Sequence, residues 1–332
     1  MNAAAPPKPG PAERRGVAVT AVGGGTGLAA LLSGLKRRVD ADIGELVGIV
    51  AVSDDGGSSG RLRRDLGLPP PGDIRNCLVA LADDEHLLAR LFQHRFGGGE
   101  GLSGHSFGNL FLAALTEITG DFAQAILTAE RILSVKGTIL PATLENVALV
   151  GTTRGGRRLE GESAIGRAGE PIERVELDPT SPPAYPPAVT ALERADLVLL
   201  GPGSLYTSIL PNLLLPEIRD ALARRRGPSA LVLNLMTQPG ETDGLDALAH
   251  LEAIERHVGP GLVDVVVAHR GEVGADRLAA YRAEGAEPVA VDREALEARG
   301  CRVEEAELVA AEGLVRHDPE RLASALLGLV PR

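Results

Sequence analysis

Short apolar runs alternate with amphipathic helical patterns along most of this chain, and each run is followed by a loop. The runs predict strands over residues 16–22, 45–53, 196–201, 230–235, 262–269 and 288–291, and a helix over about 28–38 follows the first of them. Strands that alternate with helices build a parallel sheet, because each return to the same edge needs a crossover that a helix supplies. We therefore predict an α/β fold, a Rossmann-like three-layer α/β/α sandwich with a mostly parallel sheet.

Two segments depart from this alternation. Residues 74–133 are predicted to be a helical segment, with helices over 74–82, 85–96, 107–119 and 121–133. Residues 136–177 contain short apolar runs and polar turns, which predict a small antiparallel insertion. The Ala/Pro-rich residues 1–15 predict a disordered tail, so that residues 16–330 form a single α/β domain.

Composition excludes several classes of function. The 332 residues carry 34 Lys and Arg against 45 Asp and Glu, a formal net charge of −11, so most of the surface repels a phosphate backbone. With five Phe, three Tyr and no Trp, the chain also has few side chains on which bases could stack. No apolar run approaches the ~20 residues of a membrane span, and the opening segment lacks the apolar core of a signal peptide. We expect a cytoplasmic protein that neither binds nucleic acid nor spans a membrane.

A glycine-rich loop made of Gly23, Gly24, Gly25, Thr26 and Gly27 lies between the first predicted strand and its helix. Glycines there allow an anion to approach the backbone, and the helix N-terminus offers free N–H groups and partial positive charge. The loop lacks the Gly-Lys-Ser/Thr of a Walker A motif and the third glycine of a dinucleotide fingerprint. It predicts either contact with a phosphate or nucleotide, or a tight turn only.

Two adjacent carboxylates, Asp54 and Asp55, follow the second predicted strand together with glycines and serines. Carboxylates in this place suit a ribose hydroxyl or Mg²⁺, so both are candidate magnesium ligands and candidate catalytic groups. Ser58 or Ser59 is expected to cap the next helix, and Ser58 also to contact a ligand. No HExxH motif or paired-cysteine spacing occurs, so any metal would be a Mg²⁺ held by carboxylates.

Further polar residues stand near the starts of two later helices. Asp73 and Asn76 follow a rigid proline turn, where Asp73 is either a helix cap or a ligand contact. His105 and Asn109 begin an apolar helix, and His105 is either structural or a general acid/base. We include all four among the candidate binding residues.

Two more strand ends carry small and hydroxyl-bearing residues. The candidate contacts there are Gly201, Gly203, Ser204, Tyr206 and Thr207 after one strand, and Asn234 and Thr237 after the next. Because the carboxyl ends of parallel strands meet at one edge of the sheet, these loops are expected to converge. The sequence therefore predicts a cleft for a phosphate-rich ligand at the point where the strand order reverses.

Several longer strings resemble those of one family. They are GGGTGL, AVSDDGGSSGRLR, PPGDIRNCLVALA, LFQHRF, GHSFGNLFLAALTEITGDF, GPGSLYTSILPNLL, MTQPGET and the RHD of residues 316–318, and together they span about residues 17–329. They are similar to strings of the YvcK/CofD-like family, also called UPF0052, which contains gluconeogenesis factors and the related 2-phospho-L-lactate transferase.

The resemblance implies two different functions. The gluconeogenesis-factor branch binds UDP-sugars such as UDP-N-acetylglucosamine and supports cell shape and wall synthesis on gluconeogenic carbon sources. The transferase branch moves phospholactate from a guanosine diphosphate-linked donor to a deazaflavin, using Mg²⁺. From the resemblance, Thr26, Asp54, Asn212 and Arg316 become contacts to the nucleotide or its phosphates. Pro319 stands where regulatory members carry a phosphorylatable Thr, so control by phosphorylation at that position is not expected.

Three hypotheses follow. The strings SDDGGSSGRLR, PPGDIRN and GPGSLYTS resemble the gluconeogenesis-factor branch, so we expect a UDP-sugar-binding regulator that requires no cofactor and is a non-catalytic or weakly catalytic relative of the transferase. It is expected to be a homo-oligomer with a protein partner in envelope synthesis. The alternative is a Mg²⁺-dependent phospholactate-type transferase, in which Asp54 and Asp55 hold the ion on the diphosphate. An NAD-dependent oxidoreductase is a third hypothesis, which would need a fuller glycine fingerprint.

Overall fold

The structure is a computed structural model that describes residues 16–82 and 87–330, so the predicted tail of residues 1–15 lies outside the described residues. Its strands are β1 (Val17–Gly23), β2 (Ile43–Val50), β3 (Thr138–Pro141), β4 (Ala148–Thr153), β5 (Arg158–Glu160), β6 (Ile172–Asp178), β7 (Leu197–Leu200), β8 (Ser229–Val232), β9 (Val265–His269) and β10 (Arg302–Ala306). Its helices are α1 (Gly25–Leu35), α2 (Gly57–Leu66), α3 (Gly72–Leu81), α4 (Leu87–Gln93), α5 (Phe107–Thr119), α6 (Phe122–Leu133), α7 (Glu162–Ile165), α8 (Pro186–Arg194), α9 (Leu210–Leu213), α10 (Pro216–Ala223), α11 (Ala247–Val258), α12 (Ala275–Ala283), α13 (Arg293–Ala298) and α14 (Pro319–Leu327). A 3₁₀ turn at Lys36–Arg38 extends α1, and a π-helical turn at Leu205–Ile209 leads into α9.

Seven of the strands form one parallel sheet in the order β10-β9-β8-β7-β1-β2-β3. β1 lies inside the sheet, where its Val19 pairs with Leu46 of β2 on one side and with Leu197 of β7 on the other. The chain therefore leaves β1 toward β2 and β3, and later returns to the opposite side of β1 through β7. This reversal is a switch point, the place at which open parallel sheets bind ligands.

Hydrophobic side chains cover both faces of this sheet, as an all-parallel sheet between helices requires. Along β2 the side chains alternate, with Leu46 and Val50 in the core on one face and Val47 and Ile49 in the core on the other. All four are buried. The predicted three-layer α/β fold with a parallel sheet is thereby confirmed.

A separate three-stranded antiparallel sheet, in the order β5-β4-β6, carries the short helix α7. A small antiparallel insertion is therefore present, but its predicted start at residue 136 is wrong. Residues Thr138–Pro141 form β3 instead, which pairs in parallel with β2 and ends the main sheet. An apolar run of only four residues fits either sheet by its pattern alone, and the open edge of β2 selects the parallel one.

Three other element predictions need correction. Residues 288–291 form no strand, and only Pro288 pairs, through a single bridge to Met236. The edge strand β10 is missing from the sequence prediction, because its polar RVEEA composition lacks the apolar run of a buried strand. The helix after β1 begins at Gly25 rather than at Leu28, since the loop glycines themselves form its first turn.

The predicted helical segment forms four helices, α3 to α6, which pack against one another and, through α3, against α1. α4 is shorter than the predicted range of 85–96, and residues 83–86 lie outside the described residues. Phe92 packs edge-on against Phe107 and lies with its ring centroid 4.9 Å from that of Phe111. Among the helices that the structure describes, none combines the length and the hydrophobicity that a membrane span requires.

Candidate functional site

The loops after β1 and β7 face one another across the switch point and border a cavity of about 610 Å³, here called the switch-point cleft. The predicted site residues that line it are Gly24, Gly25, Thr26, Gly27, Gly203, Ser204, Asn234, Thr237 and Arg316. Its volume lies within the range of small-molecule sites, about 300–1,000 Å³. Three strand-end loops and the segment after β10 thus converge on one cavity.

The glycine-rich loop after β1 forms the N-terminus of α1. Gly24 precedes the helix in an extended conformation, its position supplies no side-chain cap, and no acidic residue stands in the first turn. Gly25 adopts φ +60°, a left-handed conformation that favours glycine. The N–H groups of a first helical turn have no partner within the helix, and together with the helix dipole they suit a phosphate oxygen.

The loops after β1 and β7 approach so closely that no side chain fits between them. A Cβ atom on Gly27 would lie 2.4 Å from the Pro202 carbonyl oxygen, well inside van der Waals contact. Asn212 holds the same region, since its Nδ2 donates to the carbonyls of Gly23 at 3.0 Å and Ser208 at 2.7 Å. Asn212 is completely buried, and its Oδ1 has no hydrogen-bond partner, so the nucleotide contact that the resemblance implies for it stays a prediction.

The loop after β7 is held in turn by the loop after β8. Asn234 binds Gly203 through both ends of its carboxamide: Oδ1 accepts from the Gly203 N–H at 3.0 Å, and Nδ2 donates to its carbonyl at 2.9 Å. Gln238 adds a bond from its Nε2 to Ser204 Oγ at 2.7 Å. These bonds order the two loops before a ligand arrives, which lowers the entropic cost of binding.

A second cavity of about 300 Å³, here called the acidic chamber, adjoins the cleft. The two share Glu162, Ser204, Gln238 and Pro239, and the chamber adds Asp54, Ser163, Gly166, Arg167, Thr207 and Glu241. Burial, with the carboxylates of Asp73 and Asp54 nearby, raises the pKa of Glu162 to about 9. Glu162 is therefore a neutral acid at neutral pH, able to donate a hydrogen bond to a ligand oxygen.

Asp73 connects the acidic residues to the glycine-rich loop. Its Oδ2 accepts from the Gly25 N–H at 2.6 Å. Burial and the neighbouring Asp54 raise the pKa of Asp73 to about 6, against the lowering effect of this hydrogen bond. Asp73 stands in the first turn of α3, whose N-cap is Pro71, so it does not cap its own helix. It instead fixes the start of α1.

The adjacent carboxylates of Asp54 and Asp55 contact different parts of the structure. Asp54 lines the acidic chamber and accepts from the Gly56 N–H at 2.8 Å. Asp55 accepts from the Ser163 N–H of the insertion at 2.9 Å and is not among the residues that line the chamber. Among the described residues, no group of three or more His, Cys, Asp or Glu is placed to hold a metal ion. Of the two carboxylates only Asp54 lines the chamber, so the expected Mg²⁺ site made by both stays a prediction.

A third cavity of about 250 Å³, here called the arginine chamber, shares Asp54 with the acidic chamber. It brings together four more predicted residues, Ser58, Asp73, Asn76 and Asn109, with Ser59, Arg75 and Arg95. The buried atoms Asn109 Oδ1 and Arg75 Nε have no hydrogen-bond partner. Buried polar atoms are rarely left unpaired, so this chamber suits a polar ligand group.

His105 lies behind the arginine chamber rather than in its wall. The N-cap of α2 is Gly56, so neither Ser58 nor Ser59 caps this helix as expected. Ser58 Oγ instead lies 3.0 Å from Nδ1 of His105, and burial lowers the pKa of this histidine. His105 is buried, which favours the structural alternative over general acid/base catalysis.

Arg316 and His317 reach the cleft from the segment after β10. Arg316 is exposed at the rim, where a guanidinium can pair with a ligand phosphate. Burial, with His269 nearby, lowers the pKa of His317 to about 4, so its ring is neutral at physiological pH. The RHD string thus contributes one cation and one neutral ring to the site.

Sequence reasoning and the structure differ on some members of the site. Predicted residues outside the lining of these three cavities are Gly23, Asp55, His105, Gly201, Tyr206 and Asn212. Tyr206 is buried, and its N–H donates to Glu241 at 2.9 Å. Lining residues that the sequence did not single out include Glu162, Arg167, Gln238, Glu241 and Tyr281. Glu162 and Arg167 come from the insertion, and the rule that ligands bind at the carboxyl ends of parallel strands does not apply to that segment.

Comparisons with known proteins cover nearly the whole chain. Residues 19–309 match the family model described as 2-phospho-L-lactate transferase CofD. The chain is 45 % identical over 310 residues to the gluconeogenesis factor of Bacillus subtilis, covering 93 % of this chain and 96 % of that protein. It is also 45 % identical over 315 residues to the gluconeogenesis factor of Halalkalibacterium halodurans, covering 95 % of this chain and 97 % of that protein.

Solved structures agree with the sequence comparisons. A crystal structure of a protein from Bacillus halodurans has a TM-score of 0.90 at 45 % identity, covering 94 % of this chain and 100 % of that one. A second crystal structure from that organism, described as a member of the UPF0052 family, has the same TM-score of 0.90. The chain therefore belongs to the CofD family and, within it, to the YvcK/UPF0052 group that contains the gluconeogenesis factors.

Proposed function

We propose that this chain is a regulator that binds a nucleotide sugar of the UDP-N-acetylglucosamine type and links gluconeogenic carbon metabolism to cell-wall synthesis and cell shape. The observation that carries the proposal is the switch-point cleft, in which the glycine-rich start of α1 faces the loop after β7 across a cavity of about 610 Å³. A diphosphate suits the helix N-terminus, and Arg316 at the rim supplies a cation. The names of the relatives support the connection with carbon metabolism.

The residues that line the two sides of the cleft favour one orientation of such a ligand. Beyond the helix N-terminus on the β8 side, Met236, Tyr281 and Val315 offer apolar surface on which a nucleoside can pack. On the other side, the acidic chamber offers the neutral acid Glu162 and the carboxylate of Asp54, which suit sugar hydroxyls. The nucleoside therefore lies toward Tyr281 and the sugar toward the acidic chamber.

A phospholactate-type transferase is a second candidate, because the matching family model is described by that enzyme. The observation that favours it is the arginine chamber, which adds room for a second reactant beyond the acidic chamber. Mg²⁺ would neutralise charge on the diphosphate, with Asp54 as the protein's carboxylate. Arg75 and Arg95 would then orient an anionic group of the acceptor.

We place this regulator in the cytoplasm, as a homo-oligomer that passes the bound state to a protein partner in envelope synthesis. A regulator of this kind needs no cofactor.

Isothermal titration with UDP-N-acetylglucosamine, beside GDP with Mg²⁺, tests the proposal. Micromolar binding of the UDP-sugar with weak binding of GDP is the expected result. Tight binding of GDP and Mg²⁺ without binding of the UDP-sugar would contradict the regulator and favour the transferase, which a deazaflavin transfer assay would then examine.

A further inference from the structure

A fourth cavity, of about 630 Å³, opens beyond the ends of β8 and β9 and is here called the lateral cavity. It is lined by Leu233, Asn234, Leu235, Ala268, His269, Gly271, Glu272, Val273, Gly274, Ala275, Leu278, Arg282, Pro288, Val289 and Val291. The residues proposed above to hold the diphosphate and the sugar do not line it. Its volume lies within the range of small-molecule sites, about 300–1,000 Å³.

The wall of the lateral cavity is largely aliphatic. Leu233, Leu278 and Val289 are among the side chains that form it, and Leu278 is buried in a small hydrophobic cluster. Glu272 and Arg282 add one charge of each sign, and Arg282 is bonded to Glu287 at 3.2 Å. The charges of the lining side chains therefore balance, and the apolar surface suits a hydrocarbon or aromatic body.

His269 supplies a directed hydrogen-bond donor in this wall. Its Nδ1 accepts from the Leu308 N–H at 3.1 Å, which requires an unprotonated Nδ1. An imidazole that accepts at Nδ1 carries its proton on Nε2. Gly271, which also lines the cavity, lies against this edge of the ring, since a Cβ on it would be 3.9 Å from Nε2.

The N-terminus of α12 meets the cavity beside this ring. Gly274 and Ala275 line the cavity, and no side chain caps the helix; Asp276, the acidic residue of its first turn, is exposed and is not among the lining residues. A donor on His269 and the positive end of a helix therefore border one apolar space, which suits an acidic head attached to an apolar body. We propose that the lateral cavity is a second small-molecule site, which takes an organic anion with an apolar body, such as an aryl or branched-chain carboxylate.

This site is distinct from the switch-point cleft but shares a wall with it. Asn234 and Leu235 line both cavities, and the Asn234 carboxamide also holds Gly203 of the phosphate-facing loop. An occupant of the lateral cavity thus lies directly behind a residue that orders the cleft. The proposal does not depend on which nucleotide the cleft binds.

Benzoate is the probe for this site, and saturation-transfer NMR with a titration gives its dissociation constant. Ala275→Trp places a large side chain in the mouth of the cavity and is expected to abolish benzoate binding. The matched control is Ala279→Trp, at an exposed position of the same helix that is not among the cavity's lining residues. Thermal melting checks that both variants fold.

A second variant tests the donor. In His269→Asn, the side-chain oxygen can replace Nδ1 as the acceptor for Leu308 while the Nε2 donor is removed. It should weaken benzoate binding about tenfold, the scale of one hydrogen bond to a charged group. Wild type that does not bind benzoate, or Ala275→Trp that binds it as wild type does, would overturn the proposal. Competition between benzoate and UDP would overturn it too, because the lateral cavity would then be part of the nucleotide site. The first two of these outcomes do not depend on whether the switch-point cleft binds a nucleotide, so they separate failure of this proposal from failure of the proposed function.

Discussion

Asp73 offers a direct test of how the acidic residues support the glycine-rich loop. The folded protein raises the pKa of Asp73 from its ordinary value of 3.8 to about 6, chiefly by burial and by the neighbouring Asp54. Between these two values the folded state holds a proton that the unfolded state has released, so stability falls as the pH rises. At 1.36 kcal/mol per pKa unit, the total loss above pH 6 is about 3 kcal/mol.

The substitution Asp73→Asn removes the charge while its side-chain oxygen can still accept from the Gly25 N–H. Wild type should therefore lose about 1.4 kcal/mol more stability than the variant between pH 5 and pH 8, since roughly half of the loss falls in that window. Urea denaturation at the two pH values measures the difference. Asp40→Asn is the matched control, because Asp40 is exposed and its positive φ of 70° is tolerated by Asn.

Two results would refute this reasoning. Equal pH dependence of wild type and Asp73→Asn would show that Asp73 ionises in the folded protein as it does in the unfolded chain. The deficit in stability of Asp73→Asn relative to wild type could also be larger at pH 8 than at pH 5. Folding would then lower the pKa of Asp73 instead of raising it, as expected for a carboxylate stabilised by its hydrogen bond.

Three further substitutions test separate parts of the site. Gly27→Ala should lose about 1–3 kcal/mol of stability and weaken nucleotide-sugar binding, because its Cβ would lie 2.4 Å from the Pro202 oxygen; Gly98→Ala, with open space around it, should be neutral in urea denaturation. Asn212→Ala should cost roughly 1–3 kcal/mol by removing the two buried hydrogen bonds from its Nδ2 to the Gly23 and Ser208 carbonyls, whereas the exposed Asn146→Ala should change little in the same assay. Glu162→Gln should bind UDP as wild type does at pH 7 and more tightly than wild type at pH 10, since the pKa of Glu162 is about 9 and its ionisation adds a negative charge beside the ligand. Calorimetry at both pH values gives the affinity of the variant divided by that of wild type. Titration of UDP itself affects both proteins equally and cancels in this ratio. A ratio that is the same at pH 7 and pH 10 would place Glu162 away from the ligand.

Much of the site followed from the sequence because its residues stand at strand ends. The apolar runs that become β1, β7 and β8 are each followed by small polar residues, and a parallel sheet brings such loops to one edge. The rule needs only the order of elements, so it found the cleft without knowledge of any contact. It failed for β10, whose polar edge composition carries no apolar signal.

What the sequence missed depends on contacts between distant residues. Glu162 enters the site because Asp55 accepts from the Ser163 N–H across 108 positions, which docks the insertion against the loop after β2. The same bond turns Asp55 away from the chamber that Asp54 lines, so two neighbours in sequence serve different purposes. Asn212 was expected from the resemblance to contact the nucleotide; in the structure it is completely buried and holds the loop, and the nucleotide contact stays a prediction.

The central claim is that a nucleotide sugar binds in the switch-point cleft with Arg316 at its rim. Calorimetric titration of UDP-N-acetylglucosamine into wild type and into Arg316→Ala tests it most directly, with Arg302→Ala on the exposed edge strand β10 as the control for loss of one positive charge. We expect Arg316→Ala to lose about 1–3 kcal/mol of binding free energy, the scale for a charged hydrogen bond, and Arg302→Ala to bind as wild type does. Equal affinity in all three proteins, or no binding by wild type, would contradict the account.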